Sequence, residues 1–376
     1  MKRRSARRPG PFFAVAAILL GTLAAGVGPA APRGGDLVPD DGRSLWRLDS
    51  DGVLARVELA DGRVERFPSL PFLSALAGPV EGRLYALSAR PTDKGTLLLA
   101  IPTSSPEVEA RWEVRGEGRF LEITPDGSTA CVLSVRGEAW SLSVVGLLQP
   151  GAAPLAVALP FTPQAVTLMP DAESPLGLRL VVASTGRLAT FQLSPPAPSW
   201  FYKSPGEHRA VRPLPSDRAL VALRDDAVAV FDPALRPREE GRVRLTDDDA
   251  TGVVPLPSAG EDLAVVSEGT SPAVVAVLHQ GGTMLSWVDA ADGRVMETHP
   301  LDRTRRMVAR QGSLLLVGEA DTAGRAPVET LTVPAVPESR KPPEPVQTVD
   351  ASKEATVASP PEPKNPPEPV KPSEEP

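Results

Sequence analysis

The chain has 376 residues and a formal net charge of −7, from 40 Lys and Arg against 47 Asp and Glu. A net acidic surface repels phosphate backbones and anionic headgroups, so nucleic acid is not an expected partner. Hydrophobic residues make up 41% of the chain and aromatics only 4%, which calls for a core of Val, Leu and Ala.

Residues 1–30 read as an export signal. Lys2, Arg3, Arg4, Arg7 and Arg8 precede an uncharged apolar run, Phe12 to Val27, and the small residues Gly28 and Ala30 follow at cleavage-site spacing. Sixteen apolar residues fall short of the ~20 that span a bilayer. Retention as an uncleaved anchor is the alternative, and the one membrane contact expected. No Cys follows the apolar run, which excludes a lipoprotein anchor. Loss of residues 1–30 removes five cations and no acid, taking the charge from −7 to −12. The expected location is periplasmic or secreted.

The body, 36–333, repeats one pattern. A short apolar strand leads into a turn of Pro, Asp, Ser or Gly, and a second apolar strand follows. The clearest copy is Phe120–Ile123, Thr124-Pro125-Asp126-Gly127-Ser128, then Ala130–Ser134. Others start at Ala165, Val211 and Val253, with weaker ones at 73–88 and 305–318. Proline presets φ and Asp-Gly tolerates positive φ, as tight turns require. A second pattern, apolar at i and i+3, marks third strands at Leu54–Val57, Leu188–Phe191, Val228–Phe231, Leu285–Val288 and Val328–Leu331. Fourth strands follow the paired Ala60-Asp61-Gly62-Arg63-Val64 and Ala291-Asp292-Gly293-Arg294-Val295.

First-strand markers fall near 73, 120, 165, 210, 252 and 306. A period near 45 with four strands per unit predicts an all-β propeller of about seven four-stranded blades. A pair of β-sandwiches is the rival. No sustained 3.6-residue apolar period predicts a helix. The first unit lacks an evident opening strand and the last a closing one, so the two termini are expected to share one blade. From Pro334 to Pro376 the chain is rich in Pro, Glu and Lys, with Pro-Pro-Glu-Pro at 342–345, 360–363 and 366–369. That composition predicts a disordered tail.

Thr124-Pro125-Asp126-Gly127-Ser128 and Val228-Ala229-Val230-Phe231-Asp232-Pro233 resemble the WD40-like and YVTN-type propeller repeats of bacterial proteins. Gly82-Arg83-Leu84-Tyr85-Ala86-Leu87 also looks like a quinoprotein-type blade. The resemblance covers most of 42–333. It implies the propeller and no reaction, because propellers host enzymes and scaffolds alike.

No motif points to chemistry. His208, His279 and His299 fall in different units without ligand spacing and are expected in surface loops. Asp247-Asp248-Asp249 is consecutive where a Ca²⁺ loop alternates its ligands, so a solvated loop is expected. Asp49, Asp51 and Gly52 read as a hairpin turn. Cys131 is the only cysteine, so no intrachain disulfide forms and a buried small hydrophobe is expected. No Gly-x-Ser-x-Gly or Gly-rich phosphate loop occurs. Trp46, Trp112, Trp140, Trp200 and Trp287 occupy different strand positions and read as packing residues or exposed strand residues. Ser199-Trp200-Phe201-Tyr202-Lys203 is either an outer strand buried on its neighbour or a contact patch.

The expectation is therefore a non-enzymatic interaction module with envelope or extracellular protein partners. No catalytic, cofactor-binding or metal residues are assigned, and no cofactor. The alternatives are a lactonase- or hydrolase-type propeller, or a small-molecule or glycan sensor, each using an axial channel. Three or more Asp, Glu or His converging there would favour the enzyme.

Overall fold

The computed structural model describes residues 37–40, 42–90, 92–149, 151–214, 219–232, 248–266, 274–302, 305–310 and 312–334. Residues 1–30, expected to be an export signal, Asp247 and the tail beyond Pro334 lie outside them.

The protein is an all-β propeller of seven antiparallel sheets. Blade 1 is β1 (Leu37–Pro39), β2 (Ser44–Leu48), β3 (Leu54–Glu58) and β4 (Val64–Arg66). Blade 2 is β5 (Leu73–Val80), β6 (Arg83–Ser88), β7 (Thr96–Pro102) and β8 (Ala110–Val114). Blade 3 is β9 (Glu117–Ile123), β10 (Thr129–Arg136), β11 (Ala139–Gly146) and β12 (Leu155–Leu159). Blade 4 is β13 (Ala165–Pro170), β14 (Leu178–Ser184), β15 (Arg187–Leu193) and β16 (Pro196–Lys203). Blade 5 is β17 (His208–Pro213), β18 (Leu220–Arg224), β19 (Ala227–Phe231) and β20 (Gly252–Pro255). Blade 6 is β21 (Gly260–Val266), β22 (Val274–His279), β23 (Met284–Asp289) and β24 (Arg294–Pro300). Blade 7 has three strands among the described residues, β25 (Arg305–Arg310), β26 (Ser313–Gly318) and β27 (Val328–Thr332).

Within each sheet the strands pair in chain order, and the first strands of successive blades lie side by side around the axis. Second strands are buried along their whole length in β2, β18 and β22, which explains their unbroken apolar runs. Outer strands carry the polar load, as in β24, where Glu297 and other positions are exposed.

The core is a series of wedges between blades. Leu87 and Leu98 meet Leu121 and Val132 between blades 2 and 3. Leu133 and Leu142 meet Val182 and Phe191 between blades 3 and 4. Leu45 and Val57 of blade 1 meet Leu315 and Val317 of blade 7. Each such side chain contributes roughly 1.5–3 kcal/mol when fully buried. Four hydrogen bonds join the same two blades: Ala326 N to Gly62 O at 2.8 Å, Val64 N to Gly324 O at 3.0 Å, Arg47 Nη1 to Gly318 O at 3.1 Å and Arg306 Nη1 to Leu48 O at 2.9 Å. A hydrogen bond adds about 1 kcal/mol net, so the wedge does most of the closing.

Two expectations are corrected. Among the described residues no strand is shared between the first and last blades: β1 opens blade 1 itself, and packing against blade 7 closes the ring. The marker near 252 is not a first strand either. Gly252–Pro255 pairs with β19 as the outer strand of blade 5, and blade 6 opens at Gly260. The long connection after Phe231 displaced that outer strand to where the next blade was due.

Candidate functional site

The first strands surround the axis, and three of them place a charge there. These are Glu122 on β9, Arg212 on β17 and Asp262 on β21, each partly accessible to solvent. The Arg212 guanidinium acts electrostatically on both carboxyls. Blade 4 stands between blades 3 and 5, so the Glu122–Arg212 interaction spans the channel rather than a blade interface. Ala77, Leu168, Val265 and Val308, all half-buried, are further members of the inner strands.

Desolvation dominates the electrostatics. Burial pushes the Glu122 carboxyl up to about 7, and Arg212 opposes the rise. Asp262 is raised by the same cause, opposed by Arg212 and by the Leu263 N–H, which donates to Oδ1 at 2.8 Å. Arg212 also donates from Nη1 to the Val211 carbonyl at 2.8 Å. A carboxyl walled by protein yet reached by water has these properties. It can hold or release a proton near neutral pH. Two carboxyls and a guanidinium on mostly apolar walls suit a small organic cation or zwitterion.

Cys131 lies opposite Glu122 in the β9–β10 register. It is fully buried, and desolvation raises its thiol, with the nearby carboxylate adding to the rise. It is a core residue, not a nucleophile.

The histidine expectation is corrected for two of three. His208 is 2% exposed. Its Nε2 meets Ser204 Oγ at 2.7 Å, its Nδ1 meets the Ser184 carbonyl at 3.0 Å, and its N–H donates to Gln164 Oε1 at 2.9 Å. Burial, aided by Arg224, pulls its pKa down to about 4. His279 is 1% exposed, between Ser258 and Ser286, with Nε2 2.7 Å from Ser286 Oγ. His299 is more accessible and pairs with Glu297 at 3.3 Å. The two Ser–His pairs have hydrolase-like distances, but Ser204 and Ser286 are both 0% exposed, so substrate cannot reach them.

Asp248 is exposed and Asp249 half-buried, and both are tied into the blades rather than free in a loop. Asp248 accepts two bonds of 2.7 Å from Arg224, whose Nη2 also donates to Ser204 Oγ at 2.9 Å. Asp249 accepts from Lys203 N at 2.8 Å and donates its own N–H to Lys203 O at 2.9 Å. The pair pins blade 5 to the end of blade 4. The Arg224 end of the ion pair is largely buried and the Asp248 end reaches solvent.

Asp49, Asp51 and Gly52 form the hairpin turn read from the sequence, with the Gly52 N–H on Asp49 O at 2.8 Å and φ of 77°. Arg66 pairs with both aspartates. Trp46, Trp112 and Trp287 are buried, and Trp140 and Trp200 are half-buried. Ser199–Lys203 lies in β16, an outer strand. Tyr202 is buried against Phe231 of blade 5 at 5.6 Å and edge-on to Trp200 at 5.2 Å. Among the described residues, no group of three or more His, Cys, Asp or Glu is placed to hold a metal ion.

Sequence reasoning missed Glu122, Arg212 and Asp262. The signal was a charge next to buried apolar neighbours in a first strand, as in Leu121-Glu122-Ile123. Its meaning depends on blades far apart in the chain.

No family model matches the chain, and no curated protein does. Solved structures do. BBS1N, crystallised in complex with ARL6DN, is similar with a TM-score of 0.58 and 12% identity, over 82% of this chain and 94% of that one. The Cps50 (Swd1) β-propeller domain of Myceliophteria thermophila is similar with a TM-score of 0.55 and 13% identity, over 81% and 98%. Likeness at this identity shows the propeller fold alone.

Proposed function

We propose that the protein is an exported propeller that binds protein partners of the cell envelope or extracellular space. The observation that carries this is a surface pair where the chain crosses from blade 1 to blade 2. Phe72 is 42% exposed, and the exposed Arg90 guanidinium lies 5.0 Å from its ring centroid. Aromatic and Arg side chains are the types that dominate interface hot spots. BBS1N is a propeller crystallised with a protein partner, which supports the reading. The charged, apolar and small-residue order of residues 1–30 supports export, and the resemblance of the chain's repeats to YVTN-type repeats supports an envelope setting. Immobilised full chain should retain a protein from envelope extracts, and Phe72→Ala with Arg90→Ala should lose it without a change in Tm. Equal retention by parent and variant would remove Phe72–Arg90 from the interface.

A second reading rests on Glu122, Arg212 and Asp262. These would make the channel a sensor for a small cation or zwitterion. Calorimetry against a panel of free amines and amino acids tests it. A bound member should lose about tenfold or more in affinity with Glu122→Gln. No binding across the panel, or no effect of Glu122→Gln, would sink the reading.

A further inference from the structure

From Ala139 to Pro170 the chain has no charged residue, although 23% of the whole chain is charged. The span contains β11, β12 and β13. β11 is flanked on both sides and β13 is the axial strand of blade 4, but β12 is the outer strand of blade 3. It pairs with β11 on one side, from Trp140 opposite Leu159 to Val144 opposite Leu155, and no described strand pairs on its other side. Leu155, Ala156 and Ala158 are exposed, Leu155 at 57%, and Leu148 just before the strand is 77% exposed.

The outer strands of the other blades carry the devices that discourage edge pairing. Glu65 and Arg66 are in β4, Arg111 and Glu113 in β8, Pro196, Pro198 and Lys203 in β16, Arg294 and Glu297 in β24, and Glu329 in β27. β20 is uncharged, but Gly252 and Pro255 occupy its ends. β12 has neither charge nor proline. Pro154 and Pro160 flank it and, lacking N–H groups, confine pairing to five residues.

Those five residues, Leu155-Ala156-Val157-Ala158-Leu159, read the same in both directions. We propose that β12 is a self-association edge, on which a second copy of this chain adds its own β12 antiparallel about a two-fold axis at Val157. Such a contact is isologous, so residue i meets j and j meets i. Leu155 then faces Leu159 of the second copy, and Ala156 faces its Ala158. Cross-strand partners are matched in size at every position. Charge points the same way. Copies of a −7 chain repel, and this uncharged span is where two of them meet without opposed like charges. A five-residue edge with Leu148 nearby is smaller than the ~1,000 Å² of a stable interface, so the dimer is weak and reversible. The inference is independent of Phe72–Arg90, and Phe72→Ala leaves it unchanged.

Sedimentation velocity of the full chain across the micromolar range tests it. The parent should show a concentration-dependent monomer–dimer equilibrium. Ala156→Lys with Ala158→Lys should weaken it about tenfold or more, because each ammonium faces another. Ala156→Lys with Ala158→Glu should restore it, because opposite charges then face each other. Both alanines are exposed, so the variants should keep the parent's Tm and near-ultraviolet spectrum. A parent that stays monomeric overturns the proposal, including the case in which another segment of the chain holds the edge. A dimer indifferent to the paired lysines overturns it too. Dissociation by the lysines without rescue by the Lys and Glu pair overturns the two-fold register.

Discussion

Two glycines in near-identical sequences carry very different loads. Gly62 and Gly293 both follow Ala-Asp and precede Arg-Val, with φ of 70° and 67°. A side chain at either site costs on the order of 1 kcal/mol, because the left-handed region crowds a Cβ. Beyond that they part. A Cβ at Gly62 would stand 2.1 Å from the Ala326 carbonyl oxygen, while none at Gly293 meets anything within 4 Å. Gly62 O also accepts the Ala326 N–H that helps close the ring. Gly62→Ala should therefore lower Tm severely, by an amount equivalent to roughly 3 kcal/mol or more, and Gly293→Ala by about 1 kcal/mol. Parallel thermal melts decide it; equal losses would mean the seam between blades 1 and 7 yields freely.

At the scale of strands, local chemistry was legible where neighbours in sequence are neighbours in space. Thr124-Pro125-Asp126-Gly127-Ser128 predicted its hairpin because Asp126 Oδ1 accepts the Ser128 N–H at 3.1 Å and Gly127 takes a φ of 66°. All five third-strand patterns fall in β3, β15, β19, β23 and β27. The strand at 252 was misplaced because period alone cannot tell an outer strand delayed by a long connection from the next inner one. β1 was overlooked because three residues carry too little periodicity. The histidines were misread because nothing adjacent to His208 announces Ser184 or Arg224, which reach it from other strands. The channel charges were hidden for the same reason. Glu122 and Asp262 meet Arg212 only once blades 3, 5 and 6 share an axis.

At the scale of the whole molecule, two groups whose charged forms are desolvated set opposing pH dependences. His208 has a folded pKa of about 4 against an ordinary 6.5. Above pH 6.5 it is neutral in both states and contributes nothing to the pH dependence. Between 6.5 and 4 the unfolded chain binds a proton that the folded chain refuses, so stability falls by up to about 1.4 kcal/mol per pH unit. Glu122 runs the other way, with a folded pKa of about 7 against 4.5. Above 7 its partly desolvated charge costs stability, and as pH falls from 7 to 4.5 the folded state takes up the proton first and recovers the loss. Between 6.5 and 4.5 the two effects offset each other. Glu122→Gln should therefore be more stable than the parent above pH 7, with the advantage shrinking toward pH 4.5. It should also unmask the His208 slope as a steeper acid loss below 6.5. His208→Gln should do the reverse, lowering baseline stability and leaving the Glu122 slope uncompensated, so that stability rises as pH falls from 6.5 to 4.5. Urea titrations at pH 8, 6.5 and 5 measure all three. Parallel stability curves for parent and Glu122→Gln would show that the channel leaves Glu122 fully solvated, and with it the apolar setting of the Glu122–Arg212–Asp262 site would be lost.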